Sequence, residues 1–197
     1  MTTDARVYVG GVGQGVWRSD DGGDSWERKS LGMFFECDVR ALAAHPHESE
    51  VLYAGTNEGI YRTDDGGEHL RRLESPMNEL VIWCLLVLPN QPDTLFAGTR
   101  PPHLYRSTDA GQTWEQLNVP FAQECPNIIY NRVTTLRQDR ANADWVLLRE
   151  ALVFREALPA NLRPRRAGTG PPHDSHIAVK HLRPGSSGHT AVRRLKE

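Results

Sequence analysis

Apolar positions along the chain come in short bursts cut by glycine, proline, asparagine and aspartate. V-Y-V closes on Gly10, L-Y-A on Gly55 and L-F-A on Gly98. Each is followed within a few residues by an apolar-aromatic-Arg piece: V-W-R, I-Y-R and L-Y-R. The longest uninterrupted run, Leu80 to Leu88, is nine residues. Pieces of four to eight residues, rich in β-branched and aromatic side chains and bounded by turn formers, predict strand after strand with tight turns between them.

The bursts repeat. S-D-D-G-G-D-S-W from Ser19, T-D-D-G-G-E-H-L from Thr63 and S-T-D-A-G-Q-T-W from Ser107 share the pattern [ST]-x-D-x-G-x-x-[WL], and Asp21, Asp65 and Asp109 are spaced 44 residues apart both times. An aromatic-Arg pair precedes each: Trp17-Arg18, Tyr61-Arg62 and Tyr105-Arg106. Further upstream, V-R-A-L-A-A-H-P, I-W-C-L-L-V-L-P and V-T-T-L-R-Q-D-R supply one more strand per unit. Four short strands in about 44 residues is the signature of a propeller blade. The expected fold is all-β, a β-propeller of four-stranded antiparallel blades, with three blades and a partial fourth. The units fall at about 6–37, 38–79, 80–130 and 131–155 within residues 1–155.

In a blade the D-D-G-G segment joins the third and fourth strands. Aspartate accepts hydrogen bonds from nearby amides, glycine supplies a positive φ, and the Ser or Thr hydroxyl bonds locally. Trp26 and Trp114 fold back as apolar plugs whose indole N–H needs one partner. A calcium loop needs more oxygen ligands and a distant Glu, which no unit has. A glycosidase carboxylate pair is one constellation and not a feature repeated with the fold. The box residues Ser19, Asp21, Gly23, Trp26, Thr63, Asp65, Gly67, Ser107, Asp109, Gly111 and Trp114 are therefore read as structural, with no metal and no cofactor expected.

The pattern of Ser19, Asp21, Gly23 and Trp26, and of Ser107, Asp109, Gly111 and Trp114, resembles the Asp-box or BNR repeat. That repeat occurs in sialidases, xyloglucanase-type glycoside hydrolases, sortilin-type receptors and a photosystem II assembly factor. The middle unit departs by carrying Leu70 in place of Trp. The resemblance covers about residues 6 to 155 and implies a propeller whose boxes lie on the face away from the functional one. A sialidase would also have an Arg-Ile-Pro motif, which the sequence lacks. Arg18, Arg62 and Arg106 hold one blade position, so a repeated structural role is expected of them.

If the strands of a blade alternate in direction, the first-to-second turn and the box turn share one end. The second-to-third turns and the connections between blades share the other. The second end holds the longer loops, 30–38, 74–79 and 118–131, with the shorter G-V-G-Q-G, T-N-E-G and T-R-P-P-H, and binding usually resides in such loops. Candidate ligand residues there are Phe35, Glu36, Asp38, Glu58, Arg100, His103, Glu124, Tyr130 and Asn131. The favoured function is a non-catalytic scaffold binding a protein or glycan through this face. The alternative is a fragment of a glycoside hydrolase of sialidase or xyloglucanase type, and a photosystem-assembly-like chaperone is a third class.

Charge and composition adjust this picture at the end of the chain. The formal net charge is -2 over 197 residues, which argues against nucleic acid as a partner. No targeting leader or membrane span is evident in the sequence, and a cytoplasmic protein is expected. Cys37, Cys84 and Cys125 have no metal or disulfide spacing. In the fourth unit Leu148 and Arg149 stand where a small residue and Gly are called for, and Val153, Phe154 and Arg155 are the candidate aromatic-Arg strand. Residues 156–197 hold eight Lys or Arg, three acidic residues and no aromatic. The segment reads as a disordered basic tail, as a degenerate fifth-blade strand around I-A-V-K-H-L, or as a reading out of frame. An open stack of three and a fraction blades leaves an apolar edge, which implies a fragment or self-association.

Overall fold

The computed structural model describes residues 5–122, 128–154, 174–180 and 192–194. Among the described residues, fifteen strands form four antiparallel meander sheets. The first sheet has three strands, β1 (Val7–Gly11), β2 (Gly15–Ser19) and β3 (Glu27–Arg28). The second has β4 (Val39–Ala44), β5 (Leu52–Thr56), β6 (Gly59–Thr63) and β7 (Arg71–Arg72), and the third has β8 (Val81–Leu88), β9 (Gln91–Arg100), β10 (Leu104–Ser107) and β11 (Glu115–Leu117). The fourth has β12 (Ile128–Gln138), β13 (Trp145–Phe154), β14 (Asp174–Lys180) and β15 (Val192–Arg194). Strands β4, β8 and β12 pack side by side, so each four-stranded sheet is a blade with its first strand innermost.

The blades are cemented by three apolar clusters, one at each junction. Along β5, Leu52 and Ala54 face the first blade while Tyr53 faces the third, and along β9 Leu95 and Ala97 face the second while Phe96 faces the fourth. Successive strand side chains point to opposite faces, so a strand covered on both sides must be apolar at every position. That is why L-Y-A and L-F-A read as unbroken bursts. Among the described residues, strand β1 has a neighbouring blade on one side only. Tyr8 packs toward the second blade, while Val9 remains 46 % exposed.

The glycine that closes each burst sets how near the blades come. A β-carbon at Gly10 would stand 2.5 Å from Cγ1 of Val39, at Gly55 2.6 Å from Cγ2 of Ile82, and at Gly98 2.6 Å from Sγ of Cys84 and 2.7 Å from Val133. The second strand of each blade thus abuts the first strand of the next where only glycine fits. Arg149 occupies the corresponding position in β13, opposite Thr135, and no further inner strand crosses it among the described residues.

Two expectations for the fourth blade change. Val153 and Phe154 belong to β13, paired with Ile129 and Ile128 of β12, so they are not a third strand; Arg155 lies outside the described residues. The third strand is β14, which contains I-A-V-K and pairs Leu148 with Ile177. That stretch completes the fourth blade and does not start a fifth. β13 runs to Phe154, five residues past Arg149, whereas β5 and β9 end at Thr56 and Arg100, just past Gly55 and Gly98, which displaces the turn that the repeat places after the second strand. β14 and β15 both fall within the segment expected to be disordered or out of frame, and the rest of that segment lies outside the described residues.

Gly55→Ala and Gly98→Ala should each cost about 1–3 kcal/mol. Neither glycine has a positive φ, so the cost is steric. Denaturant unfolding checks this, and a Gly55→Ala chain as stable as its parent would contradict the close approach.

Candidate functional site

The two ends of the blades differ in kind, and the box end is built for cohesion. In the first box Ser19 Oγ donates to Asp21 Oδ1 at 2.6 Å and accepts the Gly23 amide at 2.8 Å. Asp21 also takes the Ser25 amide at 2.9 Å and the Ser25 hydroxyl at 2.5 Å. Thr63, Asp65 and Gly67 repeat the pattern with His69 in place of Ser25, its amide at 3.0 Å from Asp65 Oδ1. Ser107, Asp109 and Gly111 repeat it with Thr113. The indole N–H groups of Trp26 and Trp114 donate to the Gly23 and Gly111 carbonyls at 3.0 and 3.1 Å. Leu70 is buried and Trp114 half-buried against the preceding blade, while Trp26 is 41 % exposed.

The second and third boxes also hold two blades together through their middle residue. The Gly66 amide donates to Glu50 O and the Ala110 amide to Asp93 O, both within their own blades. Their carbonyls are taken by the preceding blade. Gly66 O accepts Tyr8 Oη at 3.0 Å and Arg18 Nη1 at 2.8 Å, and Ala110 O accepts Tyr53 Oη and Arg62 Nη1, both at 3.3 Å. Arg18 and Arg62 therefore clamp blades together and form no triad. Arg106, whose blade precedes no Asp box, bonds Glu115 of its own blade at 2.7 Å, and the tyrosine position there is Phe96.

Hydrogen bonding sets the charge state of the boxes. Bonds from Ser19 and Ser25 hold the Asp21 carboxyl well below the usual carboxylate range. The His69 amide and Thr63 hydroxyl do the same for Asp65. Burial pushes Asp109 up, and the Thr113 and Ser107 bonds outweigh it so that it too is lowered.

At the opposite end the ligand candidates do not converge. Asp38 braces loops: Oδ1 accepts the Gly13 amide at 2.8 Å and Oδ2 accepts Arg40 Nη2 at 2.7 Å. Glu36 sits exposed beside Phe35, whose ring lies 5.0 Å from the Arg28 guanidinium. Glu58 is half-buried in the second blade's turn, its amide donating to Thr56 Oγ1. Arg100 and His103 flank the third blade's turn, with His103 Nδ1 3.2 Å from Pro101 O. A cleft of about 540 Å³ lies there, walled by Pro101, His103, Asn118 and Phe121. Asn131 is fully buried and donates to Ala122 O at 2.9 Å. Glu124 lies outside the described residues, and Tyr130 is described as part of β12 only.

What does converge at this end was not singled out in the sequence. Trp83 on β8 lies between Arg40 on β4, 4.7 Å from its ring centroid, and Arg132 on β12, at 4.6 Å. Arg40 and Trp83 are bulge residues at the same place in their strands, between the pairs flanking Val39/Ala41 and Ile82/Cys84, and bulges re-aim side chains at such rims. Burial first, then the like charges of Arg100 and Arg40, push the Arg132 guanidinium below its ordinary value. The Trp83 indole N–H is buried, and among the described residues nothing accepts its hydrogen bond. The second residue of the aligned inner-strand pieces, Arg40 in V-R-A-L, Trp83 in I-W-C-L and Thr134 in V-T-T-L, changes in chemistry from unit to unit and is the sequence signal that could have found it. Among the described residues no group of three or more His, Cys, Asp or Glu side chains is placed to hold a metal.

No protein-family model matches the chain, and no curated protein matches it. Among solved structures it is similar to an ancestral GH74 enzyme, with a TM-score of 0.55 and 13 % identity over 96 % of this chain and 29 % of that one. It is also similar to YCF48 bound to D1 peptide, with a TM-score of 0.54 and 13 % identity over 90 % of this chain and 60 % of that one. The chain thus spans less than two thirds of either. Both are β-propellers, and the likeness shows that fold for this chain.

The box carboxylates stabilise the fold only while ionised. With folded-state values depressed, their contribution is complete above the unfolded value near 4 and is lost as pH falls through the lower folded value. The melting temperature should be nearly flat above about pH 5 and fall below about pH 4, with Asp65→Asn giving a shallower acid limb; a limb unchanged by that substitution would contradict the assignment. Asp109→Ala should cost about 1 kcal/mol in urea unfolding.

Proposed function

We propose that the chain is a non-catalytic scaffold that holds a carboxylate-bearing protein segment at the loop end of its inner strands. The observation that carries this reading is Trp83 between Arg40 and Arg132, with an indole N–H awaiting an acceptor. Guanidinium groups offer forked donors that match carboxylate geometry, and a buried indole N–H adds a third donor to the same place. An acidic segment would add negative charge where the guanidinium groups of Arg40 and Arg132 flank the Trp83 ring, with the indole N–H becoming available if the ring shifts to admit it.

Support comes also from what the loop-end carboxylates are doing. Asp38 is engaged by Gly13 and Arg40 as a loop brace, which leaves it unsuited to pair with Glu36 as a glycosidase acid and nucleophile. One of the similar propellers is bound to a peptide, a use of the fold in keeping with this reading.

Titration of the full chain with fluorescein-labelled hexaglutamate, followed by anisotropy at low salt, tests it. Binding should weaken steeply with ionic strength. Arg40→Gln and Arg132→Gln should each weaken it about ten-fold or more, while Asp109→Ala at the far end leaves it intact in the folded chain. Equal affinity for hexaglutamate and hexalysine, or turnover of an aryl glycoside that is lost in Asp38→Asn, would overturn the reading.

A further inference from the structure

The first blade presents an uncovered face. Val9, Val12, Trp26, Leu31, Phe34 and Phe35 are the exposed large apolar side chains among the described residues, and all belong to this blade or the loop leaving it. The junctions inside the molecule indicate what such a face receives. In the second and third blades the same face carries the box residue Leu70 or Trp114 packed on the preceding blade, and Trp26 is its counterpart. The same face carries the middle box carbonyl, Gly66 O or Ala110 O, gripped by a tyrosine hydroxyl and an arginine of that preceding blade. Gly22 is the counterpart, with φ +78 against +71 for Gly66 and +57 for Ala110, and its amide is likewise held inside its own blade, by Ala5 O.

The box and the clamp occur together. Tyr8 with Arg18 meets the second box, and Tyr53 with Arg62 meets the third. At the third-to-fourth junction there is no Asp box, the tyrosine is Phe96, and Arg106 turns to Glu115. Among its described residues the fourth blade has neither half of the clamp at the corresponding positions. By register with β9 and β10, Leu147 and Ala178 stand at the tyrosine and arginine positions, and Arg149 replaces the glycine that would admit another inner strand. A second copy of this chain therefore offers no matching surface by its fourth blade, and the clamps of its first two blades are already engaged.

We infer that the first-blade face around Gly22 and Trp26 docks a propeller blade from outside residues 1–197, one that carries a tyrosine on its second strand and an arginine on its third. The incoming pair donates to Gly22 O, its apolar face covers Trp26 and Val9, and the inner strand that follows it completes the three-stranded first sheet.

The test extends the full chain at its start with a copy of residues 39–90, which supplies a blade with this clamp and the following inner strand. Hydrogen exchange of residues 19–28 should slow at least ten-fold, and the melting temperature should rise by about 5 °C. Both gains should be largely lost when the added copy carries Tyr53→Phe and Arg62→Ala. In parallel, a cyclised hairpin peptide with the sequence of residues 51–63 is titrated against the unextended chain, read by Trp26 fluorescence as the difference from Trp26→Phe. The native hairpin should bind at least ten-fold more tightly than the doubly substituted one. Equal effects of native and substituted forms in either format would overturn the proposal. So would a homodimer, detected by sedimentation of the unextended chain, whose interface protects Val9 to Phe35.

Discussion

Everything in this molecule depends on how closely the second strand of one blade can approach the first strand of the next. At Gly10, Gly55 and Gly98 even a β-carbon would collide with the neighbouring inner strand, so the absence of a side chain there lets the strands meet. The approach brings β4, β8 and β12 together at the centre and buries both faces of β5 and much of β9. Full burial of a side chain such as Tyr53 or Phe96 is worth about 1.5–3 kcal/mol. These side chains sit where the approach seals them from both sides. The polar network at the rim adds orientation to this packing, since exposed ion pairs such as Arg6 with Glu50 and Asp20 are screened by solvent and contribute little to stability.

The Asp box makes a second demand on the same junction. Its middle residue turns the amide inward and the carbonyl outward, a left-handed conformation that Gly66 adopts freely and Ala110 adopts at φ +57. The outward carbonyl needs donors, and the preceding blade provides them through Tyr8 with Arg18 and Tyr53 with Arg62. The oddities of the third and fourth units then form one pattern. Phe96 in place of tyrosine, Arg106 bonded within its own blade and Arg149 in place of glycine are what a junction without a box, and a face without a following inner strand, permit.

Much of this was legible in the sequence because it is local and repeated. The strand bursts, the closing glycines and the box occur at one period, and a propeller blade is the unit that satisfies all of them. Two things were not legible. In the fourth unit the second strand runs on through Phe154, so Val153 and Phe154, which imitate an aromatic-Arg piece in sequence, extend β13 instead, and the true third strand lies about 20 residues later. The loop-end candidates were chosen as polar residues on long loops, and several, such as Asp38 and Asn131, prove to brace those loops. The residues that converge lie on strands from three different units, and only the packing of the inner strands brings them together.

The arginines show how a repeat separates fold from chemistry. Arg18 and Arg62 keep the same position and the same partner from unit to unit, as the junction requires. Arg40 and Trp83 share a position and a bulged backbone but not a chemistry, and Thr134 holds that position in the fourth blade, where its hydroxyl bonds Arg149 O. A backbone that is constant while its side chain changes from guanidinium to indole to hydroxyl places no demand on the side chain. The side chain there answers to its neighbours instead: Arg40 is taken by Asp38, Thr134 by the Arg149 carbonyl, and Trp83 stacks between Arg40 and Arg132.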